Sequence, residues 1–181
     1  MMPIFVVYMG GTCGDLVTSV IDNQTNTLNT SKMNMQVIRS LLKKPHIFRD
    51  NEEKIQYINE VTTLYKSLPS HDVEFHKEQK HDFLGIAVET EELALWAAIR
   101  FKKLHRELVW EQICKWHNIN KVEDYATMLL NYSSGVIRPA TNKIITLEEI
   151  VNGKLIESLH NYGINETDES LYKNWLKAQD K

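Results

Sequence analysis

Residues Ile4 to Asp15, IFVVYMGGTCGD, leave little freedom in how the start of this chain can fold. A short apolar run from Ile4 to Met9 enters Gly10, Gly11, Thr12, Cys13, Gly14 and Asp15, and a periodic apolar segment, Leu16 to Ile21, follows at once. Strand, glycine loop, helix is the order in which α/β proteins turn backbone N–H groups toward a phosphate or sulfate. Glycine permits positive φ and close backbone approach. Thr12 adds a hydroxyl, and Gly14 begins a helix whose dipole favours an anion. Two readings stay open: a site for an anionic ligand, and the ordinary turn between a strand and a helix. Cys13 lies at the same helix start, where its pKa is expected to fall, but no Cys–His pairing can be inferred to make it a nucleophile. Asp15 either caps the helix or, pointing inward, repels a phosphate. The loop ends Cys-Gly-Asp rather than Gly-Lys-Ser/Thr, which argues against nucleoside triphosphate hydrolysis.

A chain of 181 residues, 43% apolar and 25% charged, fits one α/β domain over residues 1–181 with a real core. The formal charge of -3 argues against a general nucleic-acid coat. It leaves room for local basic patches, at Arg39, Lys43, Lys44 and Arg49 or at Lys77 and Lys80. Two cysteines, Cys13 and Cys114, make no disulfide framework and no paired metal motif. With no signal-peptide pattern and no run of membrane-spanning length, the expected setting is a reducing cytosol, a host's included.

Along the chain, Asp22 to Met35 is rich in Asn, Thr and Ser and reads as an exposed loop, and Val37 to Leu42 as a short helix or strand before Pro45. Asp50 and Glu53 resemble a capping box opening a helix to about Leu68, stopped by Pro69. Phe83 to Val88, FLGIAV, reads as the second strand of a parallel sheet. Thr90 caps a long helical region with a break near His105 to Leu108, and Lys121 to Leu130 forms another helix. Ser133 to Asn142 reads as a turn-rich link, Ile144 and Ile145 as an edge strand, and Thr146 with Glu149 as a second capping box. Leu155 to Tyr162 is helical and ends at Gly163; Thr167 is expected to cap the last helix. The expected fold is α/β: a small parallel sheet flanked by helices, with a helical C-terminal half.

Two further constellations bear on chemistry. The segment SHDVEFHKEQKHD carries His71, Asp72, His76, His81 and Asp82. Histidines five residues apart share neither one helix face nor one strand face, so a solvated loop or strand edge is expected and no metal site. His71, just beyond Pro69, is the best-placed general base, since imidazole titrates near neutrality. Arg100 interrupts an apolar face set by Trp96 and Phe101; it snorkels, makes an internal ion pair, or faces a bound anion. Trp110, Trp116 and Trp175 read as packing residues.

Taken together these segments resemble the P-loop-fold sulfotransferase superfamily, in particular its divergent viral and phage forms. Met9-Gly10-Gly11-Thr12 stands where that family writes Lys-Gly-Gly-Thr, so the glycines and threonine are kept and the lysine is Met9. Ser70-His71 echoes the family's extended segment followed by histidine. Glu89 stands at the expected arginine after the next strand, and Ala97 lies near the family's serine. Ile144 to Gly153 and Leu171 to Leu176 resemble the family's terminal helices. The resemblance implies a P-loop-like core and 3′-phosphoadenosine-5′-phosphosulfate as cofactor, held by Gly10, Gly11, Thr12, Cys13 and Gly14. It also implies sulfuryl transfer to a hydroxyl, with His71 or Asp72 deprotonating the acceptor. Arg100, Lys43 or Lys44 would have to replace the missing lysine. The competing expectation is a catalytically inactive α/β scaffold that binds a protein partner as a viral accessory or structural component; a small nucleotide-binding or phosphoryl-transfer protein is a third.

Overall fold

The structure, a computed structural model, describes residues 3–22, 48–61, 65–105 and 107–179. The Asn-rich segment after Asp22, the Val37 to Leu42 element and the candidate cations Arg39, Lys43 and Lys44 lie outside the described residues.

Four parallel strands form one sheet in the order β2-β1-β3-β4: β1 (Ile4–Val7), β2 (Ser67–Ser70), β3 (Phe83–Ala87) and β4 (Ile144–Thr146). The register pairs Val6 with Pro69 and with Leu84, and Ile86 with Ile145. Alternation along each strand sends side chains to opposite faces. Val6, Tyr8, Leu84, Ile86 and Ile145 pack on one face with α1 (Gly14–Asp22) and the last helices. Phe5, Val7, Phe83 and Ala87 pack on the other, against α2 (Asn51–Val61) and α3 (Val73–Glu78). A third cluster gathers α4 (Glu91–Leu104), α5 (Glu107–His117) and α6 (Val122–Tyr132) around Val88, Ala97, Tyr125 and Leu129, at the sheet's C-terminal rim. The chain closes with α7 (Leu147–Val151), α8 (Leu155–Asn161) and α9 (Glu169–Gln179).

Local signals place many of these elements. Thr90 Oγ1 accepts from the Leu93 amide and starts α4. Thr146 and Glu149 form a reciprocal capping box on α7. Gly163, at φ 79°, ends α8 with its amide donating to His160 O.

Several expectations are corrected. The helix opening at Asn51 ends at Val61 rather than Leu68, and Ser67-Leu68-Pro69-Ser70 is a strand. Proline is tolerated there because β2 is the sheet edge, and α1 completes the local bonding: Ser67 N donates to Asp22 Oδ1 at 2.8 Å and Ser67 Oγ to Thr18 O at 2.9 Å. Phe83–Ala87 is therefore the third strand, not the second. The segment after Tyr132 is not a turn-rich link. It continues as a π-helical stretch, Ser133–Ile137, and a further helical turn, Arg138–Ala140. Ser133 explains the continuation, since its hydroxyl donates to Leu129 O and accepts the Val88 amide at the end of β3, both at 2.8 Å. The last helix is capped by Asp168, whose Oδ1 accepts from Leu171 N, and not by Thr167.

Candidate functional site

β1 lies between β2 and β3, and the carboxyl ends of such central parallel strands are where open α/β sheets place their ligands. Residues 8–14 sit at that point, with His71 following β2 and residues 88–90 following β3.

The glycine loop is closed from inside. Thr12 is buried, and its amide and hydroxyl both go to Met9 O, at 3.2 and 2.7 Å. A Cβ on Gly10 would stand 2.3 Å from the Phe101 ring, one on Gly11 2.5 Å from Ala97 O, and one on Gly14 2.1 Å from the Tyr8 ring. These glycines therefore admit α4 and Tyr8 to the loop. Gly11 has the further need of a left-handed backbone, φ 93°. Tyr125 stacks on Phe101 with centroids 5.0 Å apart, and its hydroxyl donates to Gly10 O at 3.0 Å. The first helical bond of α1 runs from Val17 N to Cys13 O, so the amides of Gly14, Asp15 and Leu16 precede any intrahelical partner. Asp15 is exposed and accepts from Tyr8 Oη at 2.8 Å, placing one carboxylate beside that helix start.

Arg100 stands over this corner. Its guanidinium carbon lies 5.3 Å from the Trp96 ring centroid and 5.2 Å from that of Trp175, and Nη1 donates to Gln179 Oε1 at 3.1 Å. No carboxylate of a described residue forms an ion pair with it. Burial pushes the Cys13 thiol up to about 11; the Arg100 charge pulls it down and Asp15 adds to the rise. The fall expected from the helix start is therefore reversed, and Cys13 is a neutral thiol at physiological pH. Trp175 Nε1 is buried with no hydrogen-bond partner among the described residues, a donor in the cluster that also packs Cys13 and Leu16.

His71 and Asp72 have parted roles. His71 Nδ1 bonds to Tyr8 O, which fixes the proton on that nitrogen and leaves Nε2 as the atom a base would use. The ring meets Tyr8 edge-on at 4.8 Å, which joins His71 to the loop. Asp72 points away into α3: Oδ1 accepts from Phe75 N at 3.1 Å and Oδ2 from Lys54 Nζ at 2.9 Å. Burial raises its pKa, but the Lys54 and Phe75 bonds outweigh that, and the carboxyl is held below the usual range.

The histidine-rich segment is not a solvated loop. Lys80 adopts φ 54° after α3, and the wrapped chain donates His81 N to His76 O at 2.9 Å. That turn brings together two rings that no single helix or strand face could unite, with Nδ1 to Nδ1 at 3.1 Å. His76 is 1% exposed, and its Nε2 has no partner among the described residues. Burial, then His81 and Lys54, push its pKa down to about 3, against a small opposing pull from Asp72. Among the described residues no group of three or more His, Cys, Asp or Glu could hold a metal ion.

Sequence reasoning missed Lys54, Phe101, Tyr8 and Tyr125. An isolated lysine in an amphipathic helix gives no sign that it is 3% exposed. Glu89, at the position of the resemblance's arginine, is ion-paired with Arg138. Among the described residues no helix is long and apolar enough to cross a membrane. No protein-family model, curated protein or solved structure matches this chain.

Proposed function

We propose that this chain binds a phosphate- or sulfate-bearing nucleotide of the 3′-phosphoadenosine-5′-phosphosulfate class at the Gly10–Gly14 loop, on a P-loop-like core. The observation that carries the reading is Arg100, a cation without a described carboxylate partner, held between two tryptophan rings where its charge reaches Cys13. An arginine fork beside the first turn of α1 suits a phosphate or sulfate group. In the sulfuryl-transfer form of the reading, Arg100 takes the place of the loop lysine in stabilising charge on the transferred group. His71 Nε2 then accepts the proton of the acceptor hydroxyl, and Nδ1–H stays with Tyr8 O.

A second reading has its own support. Thr12 spends its hydroxyl on Met9 O, Asp72 is held by Lys54, and Phe101 and Ala97 fill the space beside Gly10 and Gly11. A scaffold of this shape without turnover, serving as an accessory or structural protein, would keep all of these contacts.

Isothermal titration with 3′-phosphoadenosine-5′-phosphate, beside ATP and sulfate, separates the two. Binding in the micromolar range that weakens at least about tenfold in Arg100→Gln, the loss of one charge-assisted contact, supports the nucleotide site. Absence of heat with all three ligands, from protein shown by melting to be folded, overturns it. A bulky residue at Gly11 would collide with Ala97 O whatever the ligand, so Arg100 is the informative position.

A further inference from the structure

The large apolar side chains that stand exposed among the described residues all fall in one stretch: Ile99, Leu104, Leu108, Val109 and Trp116. Leu104, Leu108 and Trp116 are 68, 74 and 68% exposed. They occupy the end of α4 and the outer side of α5. At about 100° per residue, Leu108, Gln112, Trp116 and Val109 fall within an arc of about 100° on α5. Trp110 and Cys114 lie on the opposite side and, with Ile113 at its edge, pack inward. Exposed Leu108, Val109 and Trp116 on one helix face, with Gln112 between them and charge along one flank, mark an interaction surface.

The rim says what covers it. Glu107, Glu111 and Lys115 run along one flank of the stripe, all exposed, and none is ion-paired with a described residue. The row is acidic first and basic last. A two-fold axis beside Gln112 reverses the order, setting Glu111 against Lys115 of a second copy and Lys115 against Glu111. The same operation brings Leu108 of each copy toward Trp116 of the other. An isologous contact requires self-complementarity, and the Glu111–Lys115 order supplies it when the same flank meets itself in the antiparallel orientation. We propose that α5 is the seat of an antiparallel, two-fold self-association of this chain. One helix face and the end of a neighbour make a small interface, so the dimer is concentration-dependent rather than obligate.

Sedimentation velocity on the whole chain, from low micromolar to submillimolar protein, tests this. The parent protein is expected to pass reversibly from monomer to dimer over that range. Trp116→Lys, at an exposed position, should leave melting unchanged and weaken association at least about tenfold, as for an aromatic anchor. Charge exchange tests the antiparallel register. Glu111→Lys alone sets lysine against lysine, and Lys115→Glu alone sets glutamate against glutamate, so each variant should associate more weakly than the parent. An equal mixture restores two attractive pairs and should recover dimer as a heterodimer. A parent protein that stays monomeric throughout overturns the proposal. A mixture no stronger than either variant alone overturns the antiparallel arrangement.

Discussion

The glycine loop and the histidine-rich segment exchange the characters that their compositions suggest. The loop, built from residues that leave space, is filled by Phe101, Ala97 and Tyr8. The histidine segment, built from polar residues, is folded into the apolar face of the sheet, with Phe5 stacked on His81 and tilted against His76 at 4.7 and 4.4 Å. Small residues report how close the backbone comes to something, not whether that something is a ligand or the protein's own helix. Titratable residues report what a site could do only once burial has set their protonation. Here burial keeps Cys13 a thiol and His76 a neutral imidazole.

The strongest way to break this comparison is Gly11→Ala. A Cβ there meets Ala97 O at 2.5 Å on a backbone at φ 93°, two penalties that together cost about 3 kcal/mol or more. Urea unfolding gives the value. A variant as stable as its parent would mean that α4 does not close the loop.

Acid comes next. His76 is neutral in the fold with a pKa of about 3, whereas the same imidazole in the unfolded chain charges near pH 6.5. The unfolded state binds the extra proton, so stability is fully present above about pH 6.5 and falls as pH drops toward 3, by about 2 kcal/mol at pH 5. Asp72, with its lowered pKa, contributes stability above the unfolded carboxyl pKa that is lost only as pH falls below that value. Urea midpoints at pH 7.5 and 5 should therefore separate in the parent and draw together in His76→Leu. An unchanged separation in the variant would mean that His76 is not what acid attacks.

The smallest effect expected is Tyr125→Phe. It removes the hydroxyl that donates to Gly10 O and leaves the ring stack with Phe101, for a loss of about 1 kcal/mol. A loss within error would show that Gly10 O finds another donor and that the ring alone braces the loop.

Local chemistry made much of the fold legible. β1, β3 and β4 stand out by apolar density, and Thr90 and the Thr146–Glu149 box announce their helices through bonds made within a few residues. β2 was hidden because Ser-Leu-Pro-Ser carries no strand signal of its own. Its place is fixed by pairing with β1 and by Thr18 and Asp22, some 45 residues earlier. The position of the candidate site was legible in Gly10 to Gly14 for the same local reason. Its filling was not, because Phe101, Tyr125 and Arg100 arrive from far along the chain. The meeting of His76 with His81 depends on a left-handed residue at Lys80, a position where glycine or asparagine would ordinarily advertise the turn.

Tyr172 has a bearing on how this molecule is made. Its side chain is 2% exposed in the same cluster as Val6, Val17 and Val20, and its hydroxyl joins α7 to α8, donating to Ile150 O at 2.5 Å and accepting from Leu155 N at 3.3 Å. β1 is synthesised long before α9, and at ordinary translation speeds roughly ten to thirty seconds pass between them. Through that interval the nascent chain carries the apolar faces of β1 and α1 without the aromatic residue that seals them. That face of the sheet completes its packing only when α9 has docked.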